Sequence, residues 1–199
     1  MATYTESIEK LIDRLIKLPG IGRRSAERII SYILDAPDGD IETLVNAITR
    51  VKENVRSCRV CHNLSETDVC SVCSDPRRNH SLLCVVEGPN DVTSLEKTGT
   101  YQGMYHVLLG AIAPLEGKGP GDLKIDTLIN RIKQEQIQEV IIATDSDTEG
   151  STTALYLTKV LKPSGVHISR IGIGLPAGSN LEYADAATLS MALESRRTR

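Results

Sequence analysis

Apolar residues recur three and four positions apart through the N-terminal part of the chain, the period of a helix face. Ile8, Leu11, Ile12, Leu15 and Ile16 mark one stripe, and Ala26, Ile29, Ile30, Ile33 and Leu34 a second. Leu44, Val45, Ile48, Val51 and Val55 mark a third, which is expected to face inward and close the core. Pro19 stops the first helix and Pro37 the second, because proline removes a backbone donor and clashes with the preceding turn. Asp40 is the expected cap of the third. Leu18-Pro19-Gly20-Ile21-Gly22 joins the first two helices, and its glycines allow a turn that other residues make only at a cost.

Beyond residue 80 the pattern changes. Leu82-Leu83-Cys84-Val85-Val86 and Val140-Ile141-Ile142-Ala143 are continuous apolar runs, which suit parallel strands buried on both faces. Further strands are predicted at 106–109 and 166–173. Helices are predicted through Leu123, Leu128, Ile129 and Ile132, and through Ala154, Leu157 and Leu161. This alternation predicts a doubly wound sheet.

Between the two patterns stand Cys58-Arg59-Val60-Cys61 and Cys70-Ser71-Val72-Cys73. Two residues between paired cysteines turn both sulfurs toward one point, and four thiolates complete the tetrahedral shell of a structural zinc ion. Disulfides would need an oxidising compartment, and an iron–sulfur cluster is the competing occupant. His62 and His80 are expected to face solvent. Cys84 is expected to be a small buried hydrophobe. The chain thus divides into a helix-hairpin-helix unit at 1–57, a four-cysteine zinc finger and linker at 58–80, an α/β domain at 81–165 and a C-terminal strand/helix extension at 166–199, expected to serve oligomerisation. The fold class is multi-unit α+β.

Composition narrows function modestly. The net charge of −3 excludes a uniformly basic nucleic-acid binder, so any such contact is a local patch. No apolar stretch reaches the length of a bilayer span, and the opening residues lack the apolar core of a signal peptide. A cytoplasmic protein with no membrane partner is expected.

Gly20-Ile21-Gly22-Arg23-Arg24-Ser25 superficially resembles a dinucleotide-binding loop, but a helix precedes it where that motif requires a strand. As a helix-hairpin-helix, the same residues place backbone N–H groups at a helix start, where they can bind a DNA phosphate. Gly20, Gly22, Arg23, Arg24 and Arg28 are the candidate DNA-binding residues, with no evident means of reading bases. An αα-hairpin that only packs, or that joins subunits, is the alternative. Farther along, Glu87, Asp145 and Asp147 follow predicted strands, where ligands gather in doubly wound sheets. Three hard oxygens suit Mg²⁺, with Asp91 and Glu149 as outer groups. The alternative is helix capping, with Asp147 capping the helix after Thr148.

Taken in order, the glycine hairpin, the four cysteines, Val85-Val86-Glu87-Gly88, Gly103-Met104-Tyr105-His106-Val107-Leu108, Pro114-Leu115-Glu116-Gly117, Glu149-Gly150 and Gly174-Leu175-Pro176-Ala177-Gly178 resemble the bacterial recombination mediator family RecR. The resemblance covers nearly the whole chain. It implies that the α/β part is a Toprim domain. It also implies a role in DNA repair and homologous recombination, helping to load the recombinase onto DNA coated with single-strand binding protein. The implied partners are RecO and in some settings RecF, and the implied assembly is a homo-oligomer, a dimer or a ring-like tetramer around DNA. Arg24 and Arg28 match basic positions linked with DNA binding in the family, whereas Arg23 stands where proline is common. Glu87 and the acidic loop match the surface linked with RecO contact. Asp145-Ser146-Asp147 departs from the Asn-Pro-type sequence common in the family and restores the full Toprim acidic set, which favours Mg²⁺ without supplying a reaction. The chain has no room for a topoisomerase strand-passage domain, and Gly117-Lys118-Gly119 lacks the spacing of a phosphate-binding loop. A non-enzyme is therefore expected, the alternative being a Mg²⁺-dependent, nuclease-like phosphoryl-transfer enzyme on Glu87, Asp145 and Asp147.

Overall fold

The computed structural model describes residues 4–172, 174, 175 and 178–196, so Ile173, Pro176 and Ala177, which the sequence reading used, lie outside the described residues. The chain forms two compact units, Met1–Val55 and Arg56–Arg199. In the first, α1 (Glu6–Leu15) and α2 (Arg23–Asp35) bring their stripes together. Ile12, Ala26 and Ile30 are buried, with Ile8, Leu11, Leu15 and Ile21 packed around them. Each aliphatic side chain taken out of water contributes about 1.5–3 kcal/mol, enough to hold two short helices that would not persist alone.

The third stripe behaves differently from expectation. α3 (Asp38–Asn54) is a helix, but none of its residues is buried. Ile48 is 63% exposed and Val51 62%. A 3.6-residue period says which side of a helix is apolar, not that the same chain covers it. The helix also starts earlier than expected. Pro37 occupies the N-cap position, and Asp40 lies within the first turn, where its charge complements the helix dipole.

In the second unit, β1 (Arg56–Ser57) pairs antiparallel with β2 (Leu64–Ser65), and α4 (Ser71–Ser74) carries the last cysteine of the four. A four-stranded parallel sheet follows. Its strands are β3 (Asn79–Val86), β4 (Gly103–Val107), β5 (Glu139–Ala143) and β6 (His167–Arg170), in the spatial order β4-β3-β5-β6. The connecting helices are α5 (Pro89–Glu96), α6 (Ile125–Gln134) and α7 (Thr148–Leu161), and α8 (Ala186–Glu194) follows the sheet. β4 lies earlier than the predicted 106–109, because pairing with β3 sets its register and Leu109 turns out of the strand at φ 65. β6 falls within the predicted 166–173.

Strand alternation divides the core in two. Leu83, Val85, Met104, Val140 and Ile142 face one way and pack with Leu128 and Ile132 of α6 and Leu157 and Leu161 of α7. Cys84, Val86, Tyr105 and Val107 face the other way, against Val92 of α5 and Val72 of α4. The cysteine unit is therefore built onto the β4 edge of the sheet, an edge that would otherwise offer unpaired backbone groups.

Candidate nucleic-acid interface and metal centre

Tight turns assemble the four cysteines. The N–H of His62 donates to Cys58 O at 2.9 Å, and that of Cys58 to Asn63 O at 2.7 Å. His62 takes φ 63 to make this turn. The N–H of Cys70 donates to Cys58 Sγ at 3.3 Å. All four sulfurs lie within 4.8 Å of one another, the one such convergence of metal-ligating groups among the described residues. A tetrahedral site with Zn–S bonds of about 2.3 Å places its sulfurs ~3.8 Å apart, so the donor set fits. The thiols compete for protons. Without a metal, S–H donation from Cys61 lowers the Cys70 thiol and the same contact raises that of Cys61. Four thiolates at this spacing require a dication, and Cys58, Cys61, Cys70 and Cys73 hold a structural zinc ion. With every coordination position filled by sulfur, the ion supplies folding energy rather than an open site for water.

The zinc unit is seated through one ligand's own backbone. The N–H of Val107, at the end of β4, donates to Cys61 O at 2.8 Å. His62 does not face solvent as expected; its ring packs edge-on against buried His106, with centroids 5.3 Å apart. Thr127 Oγ1 donates to Lys124 O, so His62 Nε2–H donates to Thr127 Oγ1, at 3.0 Å. His106 Nε2–H donates to the same Lys124 carbonyl at 2.8 Å, while its Nδ1 is buried with no partner. Burial lowers His106 to about 4, so both rings are neutral at physiological pH. His80 is exposed and Cys84 buried, as expected, and burial pushes the Cys84 thiol up to about 12, out of reactive range.

In the hairpin, only one glycine is demanded by the backbone. Gly20 has φ 79, whereas Gly22 has ordinary extended geometry and a Cβ there would meet nothing within 4 Å. Gly22 instead keeps the start of α2 bare. That helix has no side-chain cap and no acidic residue in its first turn. Arg24 and Arg28 are exposed on its outer side, one turn apart. Arg23 is committed elsewhere. Its Nη2 donates to both carboxylate oxygens of Glu9 at 3.0 Å, and its Nε to Glu27 at 3.2 Å.

At the carboxyl ends of the strands, the acidic groups find backbone partners. Asp145 N–H donates to Glu87 Oε1 at 3.0 Å, Gly88 N–H to Asp91 Oδ2 at 2.7 Å, and Gly150 N–H to Asp147 Oδ1 at 2.7 Å. Asp147 is the N-cap of α7. A Cβ on Gly150 would collide with the backbone of Asp145, so the loop closes this tightly only over glycine. Burial raises Glu87 above the usual carboxylate range, and Asp145, Asp147 and Asp91 add to the rise.

Family descriptions match in the same order along the chain. They are the RecR helix-hairpin-helix over residues 8–52, the RecR four-cysteine zinc finger domain over 55–75, the Toprim domain over 81–172 and the RecR C-terminal region over 174–197. The chain is 48% identical over 194 residues to "Recombination protein RecR" of Thermobifida fusca strain YX, covering 98% of each chain. It is 49% identical over 194 residues to the protein of the same name from Bifidobacterium animalis subsp. lactis strain AD011, covering 98% of this chain and 97% of that one. The chain belongs to the RecR family.

Within this RecR chain, the sequence reading missed Glu9, Glu27, His106 and Thr127 as parts of the two sites. Glu27 lies one turn beyond Arg23 on the same helix, a spacing at which a carboxylate reaches a guanidinium. Glu9 and Thr127 carry no such local signal, because their partners are remote in sequence. No helix among the described residues is long and apolar enough to cross a membrane.

Proposed function

We propose that this RecR chain is a recombination mediator that holds DNA and performs no covalent chemistry on it. One observation carries the reading: the uncapped start of α2, with Arg24 and Arg28 exposed beside it and no acidic residue in its first turn. Backbone N–H groups and the helix dipole favour a phosphate there, and two guanidinium groups add charge-assisted hydrogen bonds. Gly20 and Gly22 let the phosphate backbone approach closely. Such contacts position a duplex without reading its sequence.

Two cations per chain give weak binding at cellular salt, so the working form is a homo-oligomer in which several hairpins act through effective concentration. The uncovered apolar stripe of α3 and the unburied α8 support self-association into a dimer or tetramer. The half-buried Glu87 and the exposed Asp145 form an acidic surface for a protein partner, RecO, with RecF in some settings. The nuclease-like alternative has less support, since Glu87 and Asp147 each accept from a backbone N–H and Asp147 is occupied as a helix cap. Mg²⁺ at this surface would be bound by Asp145 and by the Glu87 oxygen that does not accept from the Asp145 N–H, with water completing its shell.

Fluorescence anisotropy on a labelled duplex over a salt series tests the DNA contact. Arg24→Gln and Arg28→Gln should each make the dependence of log K on log salt shallower by about 0.9 for every hairpin engaged on the duplex. Slopes equal to that of the unaltered protein overturn the hairpin assignment. Retention on closed circular duplex, lost on linearisation, tests encirclement. Circles nicked with Mg²⁺ but left intact by Asp145→Ala would replace the mediator reading with the enzymatic one.

A further inference from the structure

Arg23 occupies the first position of α2, beside the hairpin glycines, where a cation would be best placed to meet a phosphate. It is instead drawn back along the helix pair. Glu9 of α1 takes Nη2 with both oxygens, and Glu27 of α2 takes Nε. The Arg23 side chain is 55% exposed, while those of Glu9 and Glu27 are 28% and 31% exposed. The carboxylates are thus the more sheltered members, held by helices that already pack through Ile12, Ala26 and Ile30. One guanidinium faces two carboxylates, so the cluster presents a net negative charge beside a phosphate-binding helix start. An intramolecular carboxylate also acts at a high effective concentration, which a dilute phosphate must overcome.

We propose that Glu9 and Glu27 form a built-in competitor that withholds Arg23 from DNA phosphate and so sets the strength of the hairpin's grip. This rests on the DNA-binding reading above. Arg24 and Arg28 supply the working contacts. Arg23 is a reserve contact that neutralising the acids releases, and the resulting weak grip per subunit keeps an assembled clamp free to move along the duplex.

The test is a double-mutant cycle on the full chain, read as the salt slope of duplex binding by anisotropy. Arg23→Gln alone should leave the slope unchanged. In the Glu9→Gln/Glu27→Gln background the slope should steepen by about 0.9 for every hairpin engaged on the duplex, and adding Arg23→Gln there should remove that gain. For each engaged hairpin the steeper slope corresponds to about 3.5-fold more affinity lost on going from about 50 to about 200 mM salt. Comparing Arg23→Gln across the two backgrounds cancels the general effect of removing negative charge. Circular dichroism checks that each variant keeps its helices. A shallower slope from Arg23→Gln alone would mean that Arg23 already binds phosphate. No effect in either background would make the cluster a structural latch only. Either result overturns the proposal. Arg24→Gln in the same assay separates these outcomes from failure of the DNA reading, because an unchanged slope there sinks the reading itself.

Discussion

Replacing His106 with glutamine should flatten the acid side of the protein's stability profile. His106 is 0% exposed, its Nε2–H is used on Lys124 O, and its Nδ1 faces no acceptor. Protonating Nδ1 would bury an unpaired donor and a charge beside Arg131 and His62, and burial above all lowers the folded-state pKa from 6.5 to about 4. A histidine held below its unfolded value binds fewer protons when folded. Its stabilising contribution is therefore complete above pH 6.5 and is lost as the pH falls toward 4. At about 1.36 kcal/mol per pKa unit, the loss is about 3 kcal/mol. For a domain of this size that is roughly 6–12 °C in Tm. Glutamine can keep the hydrogen bond to Lys124 O but does not titrate. The assay is thermal unfolding by circular dichroism from neutral pH down to about 4 for both proteins. Protonation of the cysteines weakens zinc binding in both, so the difference between the curves isolates His106. The variant starts lower at neutral pH because imidazole packing is lost, and the gap should close or invert as acid is added. Curves that stay parallel across this range would refute the argument.

Asp147→Ala removes the cap of α7 and should cost about 1 kcal/mol, read as a fall of roughly 2–4 °C in Tm. Chelating the zinc should release the cysteine unit from the β4 edge and lower Tm, with recovery on adding zinc back; an unchanged melt would mean the ion contributes nothing to folding. Ile48→Glu, at an exposed α3 position, should reduce the mass seen by light scattering while leaving the helical circular dichroism signal intact. Unchanged mass would place self-association elsewhere.

Local order was legible in the chain. The spacing of Cys58, Cys61, Cys70 and Cys73 announced a metal shell because short turns alone can bring paired sulfurs together. The stripes at Ile8–Ile16 and Ala26–Leu34 announced two helices because side chains one turn apart share a face. The apolar runs at Leu82–Val86 and Val140–Ala143 announced buried parallel strands for the same kind of reason. Even the capping role of Asp147 could be weighed in advance, since a cap acts within three residues.

Other features depend on residues far apart in sequence. Glu9 claims Arg23 across the hairpin, and His62 meets His106 and Thr127 only because the cysteine unit is seated on β4. The apolar side of α3 is another case: its period is local, but whether anything covers it depends on the rest of the fold. The three N-terminal helices, the central strands β3 and β5 and the zinc ligands could be read from the residues alone, because they follow from interactions within a few turns of the chain, whereas α5, the β1–β2 pair and the bounds of β4 could not. Which charges remain free, which histidine is buried and which apolar face stays uncovered were settled by packing, because burial and ion pairing arise between elements whose approach no local pattern encodes.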